Sequence, residues 1–262
     1  MHCKICQSAT TTLFRARVLG KHDVGFHRCT ACGFMQTDTP YWLDEAYASA
    51  INEVDLGPVN RAVHGVAAVE GVILTAFDRE GRFVDFGGGY GLLVRMMRDR
   101  GFDFRWHDPH CQNLFARHFV ARPGERHEMV TAFEVFEHLA DPLAGVEEML
   151  GFADAILFST LIAPKRDEAV RDWWYLGLDH GQHIAFYTIK ALEVVARRHG
   201  LHLSSDGAEV HMLSRRRYYD RALRFFVRDS AAAQLTRWAL RRRMRRASLL
   251  VDDFREVSGY NV

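Results

Sequence analysis

The chain has 262 residues, 48% of them apolar, and a formal net charge of +1. That length supports one large domain with a small appendage, and the apolar share excludes a chain disordered throughout. No apolar run approaches a membrane span and the start, Met1-His2-Cys3-Lys4, has no signal-peptide shape, so a cytoplasmic location is expected.

Cys3-x-x-Cys6 and Cys29-x-x-Cys32 form two knuckles at the start of the chain. Each short knuckle lets two sulfurs face one ion, and four thiolates close a tetrahedral shell. The expectation is a structural zinc on Cys3, Cys6, Cys29 and Cys32, with no open position for a catalytic water. Disulfides are disfavoured in a reducing compartment, and so short a segment needs a staple in place of a core. Residues 1–38 therefore read as a zinc ribbon with strands over 11–17 and 24–28. Residues 39–79 read as a connector carrying Tyr41, Trp42 and Tyr47, then a helix over 61–77 with Val63, Val66, Val69, Val72 and Ile73 at helical spacing.

Strand-like and helix-like runs then alternate: strand 82–86, helix 91–100, strand 103–108, helix 111–118, a weak strand near 119–122, strand 128–133, helix 142–150 and strand 154–160. Asp141 before Pro142 is a helix start with a capping side chain. Residues 161–187 break the rhythm with a polar, aromatic insert containing Trp173, Trp174, Tyr175, His180, Gln182 and His183. Thr188 caps a helix over 189–199, and strands over 201–205 and 209–213 meet at Asp206-Gly207, a dipeptide suited to a tight reversal. The alternation predicts an α/β domain over 80–214, a mostly parallel sheet covered on both faces.

The run Asp85-Phe86-Gly87-Gly88-Gly89-Tyr90-Gly91 is a glycine turn between strand and helix, where the backbone must bend sharply and a ligand can approach without Cβ interference. Asp108 ends the next strand, where a carboxylate can accept ribose hydroxyls. Together they point to a nucleoside cofactor. The dinucleotide pattern fails at its third position, Val94. The motif instead resembles the first motif of class I S-adenosylmethionine-dependent methyltransferases, and Glu134-Val135-Phe136-Glu137-His138-Leu139 resembles the segment closing their fourth strand. The resemblance implies a Rossmann-like methyltransferase sheet with a terminal β-hairpin, and S-adenosyl-L-methionine as cofactor. It places Asp85, Gly87, Gly88, Gly89, Gly91, Asp108, Phe133 and Glu134 around that cofactor. Tyr47, Asp55 and Arg61 are candidates to line it from the N-terminal side, with solvated or core roles equally open.

The segment from Asp179 to Thr188 is similar to one in zinc-ribbon nucleotide-sugar methyltransferases, which include sugar C-methyltransferases. That likeness implies a small sugar-type acceptor and makes His183 the candidate general base, with His138, Glu137 and His180 as further catalytic candidates. Gln182 stands where those enzymes place a carboxylate and His180 where they place a tyrosine. Removing a carbon-bound proton is thereby disfavoured, and O-methylation, which needs one base and alignment, is preferred.

Residues 215–262 read as an arginine-rich helical tail with apolar stripes at Leu223, Phe226, Val227 and at Leu235, Trp238, Ala239. Residues 215–246 hold twelve arginines against Asp220 and Asp229, so the rest of the chain carries a balance of −9. The tail is expected to pack on the domain, with an anionic membrane surface or an acidic partner as alternatives. No aromatic RNA-binding motif is evident, so nucleic acid is not an expected partner. Competing readings are an RNA- or protein-directed methyltransferase docking through ribbon and tail, a sugar C-methyltransferase, and an inactive zinc-ribbon binding module. The intact glycine loop and Asp108 argue against the last.

Overall fold

The computed structural model describes residues 1–47, 57–122 and 124–260, so Asp55 lies outside the described residues. β1 (Thr10–Val18), β2 (His22–Cys29) and β3 (Met35–Thr37) form an antiparallel sheet, followed by the one-turn α1 (Leu43–Ala46) and the long α2 (Pro58–Ala76). The main domain continues with β4 (Arg82–Phe86), α3 (Leu92–Arg98), β5 (Asp103–His107), β6 (Met129–Ala132), α4 (Pro142–Phe152) and β7 (Ala155–Ser159). The insert holds a short α5 (Glu168–Arg171) and β8 (Ala185–Phe186); α6 (Ile189–Arg198), β9 (His202–Ser205) and β10 (Val210–Ser214) complete the sheet. The tail supplies α7 (Asp220–Val227), α8 (Ala231–Arg241) and α9 (Leu250–Ser258).

The large sheet runs β5-β4-β6-β7-β10-β9, parallel from β5 to β7, with β10 antiparallel to β7 and to β9. That is the expected parallel sheet with its terminal hairpin. Local chemistry sets the element ends. Asp141 accepts the N–H groups of Leu143 and Ala144, both at 3.1 Å, ahead of Pro142; Thr188 accepts that of Ala191 at 3.0 Å. Asp206 accepts three N–H groups and Gly207 takes φ +92°, closing the hairpin.

Three expectations fail. Residues 111–118 are not helical, because their side chains satisfy the backbone another way. Asn113 both accepts from Ala116 N–H and donates to its carbonyl, and the N–H groups of Leu114 and Phe115 donate to Tyr90. The strand at 119–122 shrinks to a parallel bridge between Trp106 and Val120. In the tail, Leu223 and Phe226 are buried as expected, but Leu235 and Trp238 are exposed and the inward face of α8 is Ala233 and Arg237. Arg237 and Arg241 converge on the buried carboxylate of Glu70 in α2, at 3.6 and 2.9 Å. Buried Asp253 of α9 likewise takes both arms of Arg98, at 2.9 and 2.6 Å. An unpaired charge inside is costly, so these pairs fix the tail to the domain. No helix of the described residues is long and apolar enough to cross a membrane.

β8 pairs with β3, so the small sheet reads β1-β2-β3-β8 and joins the first segment to the insert. Phe14, Val24, Phe26 and Trp42 share a core with Tyr175, Ile184 and Phe186. The Trp42 indole donates to Gly181 at 2.8 Å.

Candidate active site

Asp85 sits at the carboxyl end of β4, paired in register with Trp106 of β5 and Thr131 of β6. The Thr131 hydroxyl donates to it at 2.6 Å. Burial pushes the carboxyl up to about 7, against the Thr131 hydrogen bond and helped by nearby Asp108. Gly87, Gly89 and Gly91 carry φ of +67°, +52° and +84°, values that only glycine adopts without strain. A Cβ at Gly87 would meet Val135 at 2.6 Å and one at Gly91 would meet Asn113 at 2.8 Å, whereas one at Gly89 meets nothing within 4 Å. Space above Gly89 is therefore open to a ligand.

Asp108 accepts from the N–H of Gly89 at 2.9 Å, and from those of His110 at 2.8 Å and Cys111 at 3.0 Å. Its carboxylate ties the loop to the end of β5 and, of about four lone-pair directions, keeps one for a ligand. Trp106, absent from the sequence reading, donates through its indole to Gly89 at 2.8 Å and flanks Gly88. Phe133 is half-buried beside Gly65 of α2, and Glu134 holds a left-handed φ of +53°. Ser159 fixes Glu134 twice, accepting from its N–H at 2.9 Å and donating to its carboxylate at 2.8 Å. A non-glycine residue in that conformation stores strain and persists only where its surroundings hold it.

The four catalytic candidates come together beside this strand end. His183 lies edge-on to His138 and to His180, with ring centroids 5.0 and 4.8 Å apart. Nδ1 of His183 meets the Tyr175 carbonyl at 2.6 Å, and Nδ1 of His138 meets that of Gln182 at 3.1 Å. Burial, reinforced by the neighbouring imidazoles, lowers His138 to about 4 and holds His183 well below the usual histidine range. Glu137 is fully buried and pushed up to about 8 by desolvation and then by Glu134. Tyr47 bridges the two halves: its hydroxyl lies 2.9 Å from His138, and its ring stacks on His110 beside Asp108. The Gln182 amide donates to the Ala46 carbonyl at 2.8 Å, a bond that a carboxylate cannot make. Of the three consecutive aromatics, Tyr175 is buried, Trp173 half-buried and Trp174 76% exposed, so they do not share one surface.

A family model described as a methyltransferase domain matches residues 64–205, more than half of the chain. The chain belongs to that family. The methyltransferase domain, of the class I S-adenosylmethionine-dependent kind, covers β4 to β9 and most of α2. Similar solved structures include magnesium protoporphyrin IX methyltransferase from Synechocystis PCC 6803, 15% identical over 65% of this chain and 90% of that one, with a TM-score of 0.43. A plantazolicin methyltransferase is 10% identical over 66% and 89%, with a TM-score of 0.44. An O-methyltransferase family protein from Burkholderia thailandensis is 13% identical over 60% and 56%, with a TM-score of 0.45. No functionally curated protein matches the chain.

The amino-terminal cysteines form a second centre. Their four sulfurs lie within 4.8 Å of one another, with contacts of 3.7, 3.3 and 3.6 Å. Sulfurs at the corners of a tetrahedron around zinc, about 2.3 Å from the ion, are about 3.8 Å apart, so the cluster fits. Two N–H groups point at Cys3 and two at Cys29, all at 3.4 Å. The Cys32 thiol, bonded to Cys3, holds the latter down to about 5 while Cys32 itself rises far above its usual range. Four thiolates so close need a cation.

Proposed function

We propose that this methyltransferase domain transfers a methyl group from S-adenosyl-L-methionine to a hydroxyl of a small molecule, a sugar or nucleotide-linked sugar or glycan precursor, with zinc structural in the ribbon. The observation that carries the reading is the placement of His138 and His183 one tyrosine away from the Asp85–Asp108 loop. The cofactor fits the residues present, because the open side of Gly89 admits it, Asp85 offers a buried carboxylate to its ammonium, and Asp108 keeps one direction for its ribose. When bound it supplies an electrophilic methyl group whose bonding pair returns to sulfur on transfer.

His183 acts on the acceptor. Its Nδ1 donates to Tyr175, so Nε2 carries the lone pair that takes the hydroxyl proton as the oxygen attacks. Glu134, held by Ser159, borders the acceptor space, and Tyr47 positions His138. O-methylation is favoured over C-methylation because Gln182 is used as a donor to Ala46 and cannot serve as the carboxylate partner of a strong base. The test is labelled S-adenosylmethionine with an extract fractionated by size and charge, followed by kinetics on the acceptor found. His183→Ala should lower turnover by roughly 10²–10⁴ with cofactor affinity unchanged. Full activity in that variant removes His183 as the base.

A further inference from the structure

Neither carboxylate oxygen of fully buried Glu137 has a hydrogen-bond partner among the described residues. The nearest hydroxyls, those of Tyr175 and Thr160, lower its pKa from close by without completing a hydrogen bond to it, and lie 3.4 Å from each other. Protein interiors rarely leave such a group unmatched, and removing a carboxylate from water without a partner is expensive. One donor atom each from Glu137, His138 and His183 lies within 4.8 Å of the other two.

The imidazoles are already oriented. Each places Nδ1 against a backbone carbonyl, Tyr175 for His183 and Gln182 for His138. A carbonyl only accepts, so Nδ1 of His183 carries the proton; Nδ1 of His138 donates to Gln182 with the Tyr47 hydroxyl, 2.9 Å away, as a second acceptor, and each Nε2 then holds the lone pair. Rings anchored by one nitrogen to carbonyls, presenting the other beside an unsatisfied carboxylate, are how proteins aim metal ligands.

We propose that Glu137, His138 and His183 form a second metal site, for a divalent cation that favours imidazole and carboxylate, such as Zn²⁺ or Co²⁺. Donors at about 2.1 Å from one ion lie about 3.4 Å apart in a tetrahedron, so small side-chain rotations close the set. Three protein ligands leave a position open for a further oxygen ligand. An acceptor oxygen there would be polarised as zinc polarises water, whose pKa falls to about 7. The catalytic use of the ion rests on the methyl-transfer reading; its binding does not. With Nε2 of His183 committed to the ion, the acceptor would bind as its alkoxide after losing its proton to solvent, and the base role proposed for His183 applies to the protein without the second ion.

Co²⁺ is added to the full-length protein as purified, with its ribbon metal in place, and followed by absorption. About one further equivalent per chain is expected, with weak visible bands and no thiolate charge-transfer band, because the ligands are nitrogen and oxygen. Glu137→Gln keeps the shape and should weaken binding at least about tenfold, and combined His138→Ala and His183→Ala should abolish it. Should these variants fail to fold, anomalous scattering from Co²⁺-soaked wild-type crystals decides, with the peak required between the three side chains. No further equivalent, or a peak elsewhere, overturns the site. Methyl transfer by a protein that binds no second equivalent leaves the proposed function standing without it. Co²⁺ held by the three residues in a protein that methylates nothing upholds the site and removes the function.

Discussion

Asp85→Asn probes the cofactor loop through its buried charge. With burial pushing Asp85 up to about 7, the carboxyl of the free protein is close to half protonated near neutrality. The ammonium of a bound cofactor favours the ionised form, so binding is tighter with Asp85 charged and releases a proton. Affinity must therefore fall as the pH drops below about 7. From an ordinary carboxylate to about 7 corresponds to ~4 kcal/mol at about 1.4 kcal/mol per pH unit, the upper limit on what the ammonium can return. Between about pH 5 and about pH 7 the dissociation constant should change close to tenfold per unit, then level off. An α-amino group, with a pKa of about 7.7–8.0, stays charged across that window. Calorimetry in two buffers of unlike ionisation enthalpy should count about half a proton released per cofactor near neutrality. Asn still accepts the 2.6 Å bond from Thr131 but cannot titrate, so its profile should be flat and its binding weaker by about 10–150-fold, the equivalent of about 1.5–3 kcal/mol. The free variant should also melt higher at alkaline pH. A raised native pKa means that the folded state holds the proton more tightly, so wild-type Asp85 costs stability as pH rises from about 4 to about 7. A flat wild-type profile with no proton exchanged refutes the placement of the ammonium on Asp85.

Metal analysis of protein purified without added zinc should return about one equivalent from the ribbon. Cys29→Ser should abolish it and speed hydrogen exchange at residues 185–188 as well, because Cys29, Phe34 and Tyr187 share one core; exchange confined to the ribbon would contradict that coupling. Glu70→Gln removes the carboxylate that Arg237 and Arg241 share, leaving Arg237 only Asp229, and should lower stability by about 1–3 kcal/mol in denaturant titration, with unchanged stability refuting the clamp. Gln182→Glu sets a carboxylate against the Ala46 carbonyl and should destabilise by about 1–3 kcal/mol, and a more stable variant would show that the amide is not the donor there.

Much of the sheet was legible because each central strand is a short apolar run closed by a polar or glycine turn. Val84 and Phe86 of β4, Met129 and Val130 of β6, and Ile156 to Phe158 of β7 are all buried. The helix expected over 111–118 carried a plausible pattern, but local side-chain bonds from Asp108 and Asn113 compete with helix formation and periodicity does not register them. The outward turn of Leu235 and Trp238 was hidden for a related reason. An arginine, Arg237, occupies the inward face because its partner Glu70 lies far away in sequence. At the candidate site the structure brings His138, His180 and His183, singled out in the sequence, side by side. Trp106 gave no signal of its own, and Tyr47 and Tyr175, noted in the sequence only as aromatics near the site, take their contacts where distant segments meet.

The pairing of β3 with β8 has a consequence for how the chain is made. A nascent chain can complete β1 to β3 early, yet the edge at Met35–Thr37 stays bare until residues 185–186 leave the ribosome. Unpaired strand edges recruit other chains, and contacts between such distant segments form slowly. The cluster of His138, His180 and His183 inherits that order, because His183 sits two residues before the strand that closes the sheet. A chain terminated ahead of Ala185 therefore keeps an open edge and lacks a finished pocket, whereas one terminated after β10 retains both the closure and the cluster.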